Sequence, residues 1–273
     1  MKEQCKQKLL RVRLYVRVYK TLLRLNLAKL FAYRANFYSS ALAHTVWAVF
    51  TIVAMILLTS RSSSVYGWSR DELLLLAGTY NLIFSIFYFF FSRNFGEFSE
   101  TVHFGRLDTF LLKPIDSQFL MSIWNAGYTQ LIRFTLGVGF ITYMLHRMDI
   151  VLTIVDVAKF MLLVFVSVGI MYSFWMLIMT LLLWFSNLSN LVSLLYEVNN
   201  ISKYPQELYR GFGVAFLIVL FPLTLVVTMP AKALLQQLSW TEMLLPIGVV
   251  LVMLFAARKF WKFALHFYTS ASG

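Results

Sequence analysis

The chain alternates long apolar runs with short polar connections, and six of these runs are long enough to cross a membrane. The hydrocarbon core of a bilayer is about 30 Å thick and needs roughly 20 apolar helical residues to span it. We therefore predict an all-α, polytopic membrane protein with one transmembrane domain over residues 1–273. The predicted spans are 37–58, 73–91, 120–145, 157–185, 211–229 and 243–261.

Local signals predict where several of these helices begin and end. Ser69 and Glu72 stand at the spacing of a capping box, so the second span is expected to begin just after Ser69. Pro222 is expected to kink the fifth span and Pro230 to end it, because proline removes an amide donor. Residues 231–238 would then form a short interfacial or re-entrant helix. The polar stretch between the fourth and fifth spans is interpreted as a cytoplasmic connection.

Residues 1–36 follow a different pattern, with basic side chains on one narrow stripe of a helix and apolar side chains opposite. Such a helix is typical of the membrane surface, where its cations face anionic headgroups, so membrane lipids are expected partners. A soluble amphipathic helix packed on a partner protein is the alternative. The stripe consists of Lys6, Arg13, Arg17, Lys20 and Arg24.

Composition supports the membrane assignment, since 60% of the residues are hydrophobic and only 13% are charged. The net charge of +12 could suggest nucleic acid, but the basic residues lie in short clusters between apolar runs. We therefore expect no nucleic-acid partner. Eighteen of the 24 lysines and arginines fall on one side of the six-span arrangement, which the positive-inside rule places in the cytoplasm. Both termini are then cytoplasmic.

A charged connection over 93–118 separates the second and third spans and lies on the same, cytoplasmic side. It carries charges of both signs, two glycines and a proline. Within it, His103 and Asp108 have the H-x4-D spacing in which an aspartate orients a histidine base in glycerolipid acyltransferases. The other sequence blocks of those enzymes are absent. A membrane-embedded acyltransferase that uses these two residues is therefore the alternative function.

Few residues within the spans are candidates for chemistry, and none is assigned a catalytic role. The four histidines are scattered along the chain, so no metal site is predicted. The chain has no phosphate-binding loop of the form G-x4-G-K-S/T, so ATP would have to act through another chain. Arg133 lies deep in a span, where it either lines a pathway or snorkels toward headgroups. The candidates for a substrate path, which could instead bond neighbouring helices, are His44, Asn81, Arg133 and Ser173.

The order of these parts resembles the type 2 ATP-binding-cassette (ABC-2) exporter permeases, within them the small bacterial six-span branch. In that branch a G-x-L-D-x3-L-x-x-P block follows the second span, as it does here at Gly105, Leu107, Asp108, Leu112 and Pro114. The other matching elements are Tyr204-Pro205 before the fifth span, Pro222 within it, Pro230-Ala231 at its far end and Tyr268-Thr269-Ser270-Ala271 in the tail.

The resemblance implies a permease that pairs with a second copy or a homologous permease and sits on two separate ATPase subunits. Those subunits would hold the ATP and magnesium, and this chain would be a transport subunit rather than an enzyme, with no cofactor of its own. It would export an amphipathic, lipid-like or drug-like solute across the bacterial plasma (inner) membrane. A coupling helix over about 96–104 would contact the ATPase, and Gly105 would permit the tight turn after it. The residues assigned to coupling are Glu97, Glu100, Gly105, Arg106 and Asp108.

Overall fold

The computed structural model describes residues 2–60, 64–65, 67–185, 190–209 and 213–268, with the side chains of 2–11 and 214–219 left out. Strands β1 (Ser64–Val65) and β2 (Trp68–Ser69) pair antiparallel in a short hairpin. The α-helices are α1 (Lys2–Ala32), α2 (Arg34–Leu58), α3 (Arg70–Phe87), α4 (Arg93–His103), α5 (Asp108–Leu111), α6 (Ser117–Ile123), α7 (Gln130–Arg147), α8 (Ile154–Thr180), α9 (Leu191–Asn199), α10 (Val214–Leu234) and α11 (Trp240–Leu265).

Four helices in the described part of the chain are long and apolar enough to cross a membrane. The remaining two of the six predicted spans correspond to α7, which has 18 residues and carries Arg133, and to α10, which has 21 residues. The long helices are Arg34–Leu58, Arg70–His103, Ile154–Leu183 and Trp240–Leu265. The all-α, multi-span architecture therefore agrees with the sequence pattern.

The second predicted span continues past residue 91 as one helix of 34 residues, Arg70–His103. Its predicted start is confirmed: Ser69 accepts a hydrogen bond from the amide of Glu72, whose carboxylate accepts one from the amide of Ser69 at 2.7 Å. No proline interrupts the segment, and a single π-helical turn at Tyr88–Ser92 joins α3 to α4. The predicted coupling helix is thus the end of a core helix.

The third predicted span, 120–145, is divided into α6 and α7 by an irregular stretch. Asn94 of α4 accounts for this break, because its side-chain amide donates to the carbonyls of Ser122 and Asn125 at 2.8 and 2.9 Å. Its carbonyl oxygen accepts from the amide of Asn125 at 2.7 Å. One buried asparagine therefore satisfies the backbone groups that the interrupted helix releases.

Helix α10 runs through both Pro222 and Pro230, so the prediction that Pro230 ends it is wrong. The separate helix predicted at 231–238 is consequently also wrong. Pro230 cannot donate to the carbonyl four residues earlier, which belongs to Val226. The hydroxyl of Ser167 on α8 donates to that carbonyl at 2.6 Å instead. The neighbouring helix thus replaces the bond that the proline removes.

The segment after α8 crosses the bundle, and the prediction of a cytoplasmic connection is wrong for Leu191–Tyr209. Near one end of the bundle the hydroxyl of Tyr196 lies 2.8 Å from that of Ser92. At the opposite end Glu207 accepts from the indole of Trp68 at 3.0 Å. The helical residues 70–92, which separate Trp68 from Ser92, extend about 34 Å at 1.5 Å per residue. The segment therefore traverses most of the length of α3.

The polar residues that suggested solvent contact in this segment instead bond inside the bundle. Asn199 and Ser202 are fully buried. Asn199 accepts from the indole of Trp175 at 3.3 Å, and Ser202 donates to the carbonyl of Leu223 at 2.7 Å. Since polar side chains are typical of both surface loops and buried hydrogen-bonded turns, the sequence pattern did not separate the two.

Helix α3 lies at the centre of the bundle, where it contacts α2, α7, α8 and α10. Its crossing with α7 is close because glycines face the partner helix. A Cβ atom added at Gly137 would lie 2.9 Å from the backbone nitrogen of Leu82, and one at Gly78 would lie 3.0 Å from the ring of Phe140. Small residues of this kind let two membrane helices approach. By contrast, a Cβ at Gly139 would meet nothing within 4 Å.

We expect Gly137→Ala to destabilise the protein by about 1–3 kcal/mol, because the new methyl group must displace the α3 backbone. Gly139→Ala is the matched control and is expected to be neutral or stabilising, since alanine favours a helix by about 1 kcal/mol over glycine. Thermal unfolding of both variants in detergent measures the difference. Equal melting temperatures would show that the α3–α7 crossing is looser than described.

We expect Ser167→Ala to cost about 1–3 kcal/mol, because it leaves the carbonyl of Val226 buried without a donor. The cost should fall in a Pro230→Ala background, where residue 230 regains an amide for the same carbonyl. Ser173→Ala is the control, since its hydroxyl donates at 2.8 Å to a carbonyl of its own helix. A double-mutant cycle by thermal unfolding provides the test. Identical costs in both backgrounds would show that the hydroxyl of Ser167 does not replace the amide that is missing at Pro230.

Candidate functional site

Helix α4 has one face packed on the core and one face open. On the packed face, Phe95 and Phe98 are buried, with ring centroids 5.8 Å from Trp175 and 6.0 Å from Trp261 respectively. These contacts hold α4 against α8 and α11. The open face is polar and displays two of the five residues assigned to coupling, Glu97 and Glu100.

The two glutamates on α4 have different surroundings. Glu97 is half exposed and accepts hydrogen bonds from Arg93 at 3.2 Å and from the side-chain amide of Asn125 at 2.8 Å. The side chain of Glu100 is 71% exposed, and its carboxylate lies 3.8 Å from the guanidinium of Arg106. Glu97 therefore contributes to the stretch between α6 and α7, whereas Glu100 is available to a partner.

The turn after α4 has the geometry that was predicted for Gly105. Its φ of 65° is left-handed, and the amide of Arg106 donates to the carbonyl of Thr101 at 2.8 Å. The amide of Gly105 donates to the carbonyl of Val102 at 3.1 Å, which completes a Schellman motif. The turn leaves Phe104 exposed at the tip of α4. An apolar ring thus lies beside the charged face.

His103 and Asp108 have different neighbours in the structure. The exposed ring of His103 packs edge-on against Phe104, with centroids 5.1 Å apart. Asp108 lies beside Tyr268 at the end of the chain, where burial and then the carboxylate of Asp108 raise the pKa of Tyr268. The contacts therefore tie Asp108 to the C-terminal segment.

An ion pair between Asp116 and Arg258 anchors the connection 93–118 to α11. The two carboxylate oxygens face the two terminal nitrogens of the guanidinium, and Arg258 also donates to Gln118 at 2.8 Å. Burial raises the pKa of Asp116, but the hydrogen bonds from Arg258 and the amide of Phe119 outweigh it and hold that pKa below its usual value. Sequence analysis missed this pair, whose members are far apart in the chain.

A second candidate site surrounds Arg133 inside the bundle. The residue is only 2% exposed, and its Nε donates to Asn81 at 2.9 Å. Its guanidinium lies over the rings of Tyr80 and Tyr88, at 5.3 and 5.7 Å from their centroids. Its Nη2 is buried and has no hydrogen-bond partner among the residues that the structure describes. Arg133 is thus enclosed by protein, and the snorkelling interpretation does not hold.

Lys203 joins this site from the segment that crosses the bundle. Its ammonium lies 5.7 Å from the ring centroid of Tyr80 and 5.1 Å from that of Trp47 on α2. Tyr80 lies about 15 Å along the axis of α3 from its start at Arg70, which is near the middle of an apolar layer about 30 Å thick. Sequence analysis missed Lys203 because its segment was interpreted as a surface connection. We call Arg133, Lys203, Tyr80, Tyr88 and Trp47 the cation cluster.

Two further path candidates have been placed by the structure. A ring nitrogen of His44 lies 3.0 Å from the side-chain nitrogen of Gln130, one helical turn before Arg133. Ser173 is buried and donates to the carbonyl of Gly169 on its own helix. Arg133, Asn81 and His44 are therefore gathered in one region, and the described contacts of Ser173 lie elsewhere.

Helix α1 packs across α6 at the α4 end of the bundle. The rings of Tyr15 and Phe119 are 4.8 Å apart, and Asn26 donates to the carbonyl of Trp124 at 3.0 Å. Beside this contact lies an apolar groove of about 410 Å³. Its lining residues are Val12, Tyr15, Val16, Tyr19, Phe90, Phe119 and Ile123.

Comparison with known proteins identifies the family. A family model described as "ABC-2 family transporter protein" matches residues 45–272, which includes most of α2 and all later described elements. No curated protein and no solved structure matches the chain. The family match confirms the resemblance drawn from the sequence motifs and does not favour the acyltransferase alternative. The chain belongs to the ABC-2 transporter family and is a multi-pass membrane permease.

Proposed function

We propose that this permease is the membrane subunit of an ATP-driven exporter and that α4 is its coupling helix. The observation that carries the proposal is the continuity of α3 and α4 in one helix of 34 residues. A helix of that length extends about 50 Å, from the open face of α4 past the cation cluster. A push on α4 would therefore move the centre of the bundle directly.

The open face of α4 has the chemistry of a transient docking surface. Glu100 and Arg106 are both well exposed, so their 3.8 Å pair contributes little to the stability of this chain. The exposed ring of Phe104 supplies an apolar anchor next to these charges. An ATPase groove with basic residues and an apolar recess would complement this surface. Glu97 takes a supporting role, because it also bonds Asn125.

Charge distribution supports a cytoplasmic position for this end of the bundle. Helix α1, the connection 93–118 and the tail of α11 meet there through Tyr15, Asp116 and Arg258. Together they hold most of the basic residues, which the positive-inside rule assigns to the cytoplasmic face of a bacterial plasma membrane. On this orientation the basic stripe of α1 meets anionic headgroups, and ATPase subunits reach α4 from the same side.

The outer surface of α2 supports pairing with a second permease. Only 22% of the apolar stretch of α2 is buried against the rest of the chain. Large apolar side chains face outward along its length, available to lipid or to a second copy or homologue. They include Leu42, Val46, Phe50 and Leu57. An amphipathic solute exported along this surface would find apolar walls beside the buried cations.

We expect Glu100→Lys to weaken co-purification with the ATPase subunits and to reduce ATP-dependent export at least about tenfold, because it reverses a charge at the docking surface. The exposed position predicts an unchanged melting temperature. Arg70→Glu is the control, since it reverses an exposed charge at the opposite end of the same helix. Equal export by Glu100→Lys and the unmodified chain would remove Glu100 from the coupling role.

A further variant separates transport from the enzymatic alternative. His103→Ala should retain export and binding of the ATPase subunits, because the permease requires no base at that position. Purification with co-expressed ATPases and an acyl-transfer assay are the measurements. Absence of any bound ATPase, together with acyl transfer that is lost in His103→Ala, would overturn the permease proposal.

A further inference from the structure

The cation cluster holds two basic side chains at the centre of the bundle without a carboxylate beside them. Among the described residues, the ion pairs involve neither Arg133 nor Lys203. Glu197 interacts electrostatically with Lys203 and Tyr80, but its side chain is exposed and accepts a hydrogen bond from the side-chain amide of Asn200 at 2.9 Å. Two cations therefore share the rings around Tyr80 with no buried counter-ion.

Such an arrangement is costly unless something else neutralises it. Removing a charged side chain from water costs several kcal/mol even after relaxation of the protein around it. The faces of Tyr80, Tyr88 and Trp47 offset part of this cost through cation–π attraction. The hydroxyl of Tyr80 also interacts with the guanidinium. Nη2 of Arg133 nevertheless has no hydrogen-bond acceptor among the described residues, and no ring supplies a negative charge. The missing partner is therefore an acceptor with negative charge.

We infer that Arg133 and Lys203 form a binding site for one anionic group, a phosphate or a carboxylate. Arginine suits both groups, because its planar guanidinium can donate two parallel hydrogen bonds to their oxygens. With Nε engaged by Asn81, Nη2 remains free to donate to the anion. Lys203, whose ammonium lies 5.7 Å from the ring centroid of Tyr80, adds a second donor. The inference deepens the proposed function, on which it rests, by giving the solute a charge.

The surroundings of the site suit the headgroup of an amphipath. Trp47 is exposed and Lys203 is half-buried, and we place the entry of an anion on this side of the cluster, between α2 and the turn Asn200–Lys203. The ring of Trp47 is 5.8 Å from that of Phe50, which is exposed on the same apolar face of α2. An acyl chain could lie along these rings while its anionic head reaches Arg133.

Binding to the full chain in nanodiscs of phosphatidylcholine tests the inference. The probe is radiolabelled lysophosphatidic acid, with a neutral monoacylglycerol of the same chain length for comparison and empty nanodiscs as background. Unlabelled inorganic phosphate is the competitor that distinguishes a free anion from a headgroup. We expect the unmodified chain to bind lysophosphatidic acid at least tenfold more tightly than the neutral lipid, since each charged hydrogen bond contributes about that factor.

Three variants locate the binding. Lys203→Met and Arg133→Gln should each weaken binding of lysophosphatidic acid about tenfold or more, and Arg133→Lys should retain part of it. Lys159→Met is the matched control, because Lys159 is also a part-buried lysine over a tryptophan ring, 4.7 Å from Trp240, but lies at the hairpin end of the bundle. Should Arg133→Gln fail to fold, Lys203→Met gives the same answer.

The outcomes are distinct. Equal affinity for the charged and neutral lipids, or an equal loss in Lys159→Met and Lys203→Met, would overturn the anion site. If inorganic phosphate competes at the same concentration at which lysophosphatidic acid binds, the site binds a free anion. That result would support the anion site and overturn the headgroup assignment. The assay contains no ATPase. A permease that failed to bind ATPase subunits would therefore contradict the proposed function without altering these affinities.

Discussion

Polar groups inside an apolar bundle must find partners within the protein, and this requirement determines the course of the chain. Each backbone carbonyl that a proline or a broken helix releases needs another donor, since no water is available to it. Asn94 supplies donors for the break between α6 and α7, and Ser167 supplies one for the carbonyl released by Pro230 in α10. These side chains allow irregular backbone to lie deep in the structure.

The same irregular backbone builds the candidate site. Because Leu191–Tyr209 crosses the bundle as short helical turns, it brings Lys203 to the ring of Tyr80 that Arg133 also approaches. Helix α3 carries Tyr80 and continues without a break into α4. The cation cluster and the proposed coupling surface are therefore connected by one continuous helix, which is the route that we propose between ATPase contact and solute.

Sequence patterns predicted the features that depend on neighbouring residues. The capping box at Ser69, the left-handed turn at Gly105 and the positions of α2, α8 and α11 follow from local spacing and hydropathy. The pattern also singled out Arg133 and Asn81, although not their hydrogen bond. The features that the sequence patterns predicted wrongly depend on distant partners. The division of 120–145 depends on Asn94, and the continuation of α10 depends on Ser167. Lys203 was misplaced for the same reason, since its depth depends on the path of its whole segment.

The central claim, that ATPase subunits act on α4, can be tested most directly by site-directed photo-crosslinking in membranes that contain the co-expressed ATPases. The chain has one native cysteine, so a Cys5→Ser background with Glu100→Cys, Phe104→Cys or Arg70→Cys accepts the crosslinker at a single position. The account predicts crosslinks to an ATPase subunit from positions 100 and 104 and none from position 70. Crosslinks from position 70, or none from position 100, would contradict it.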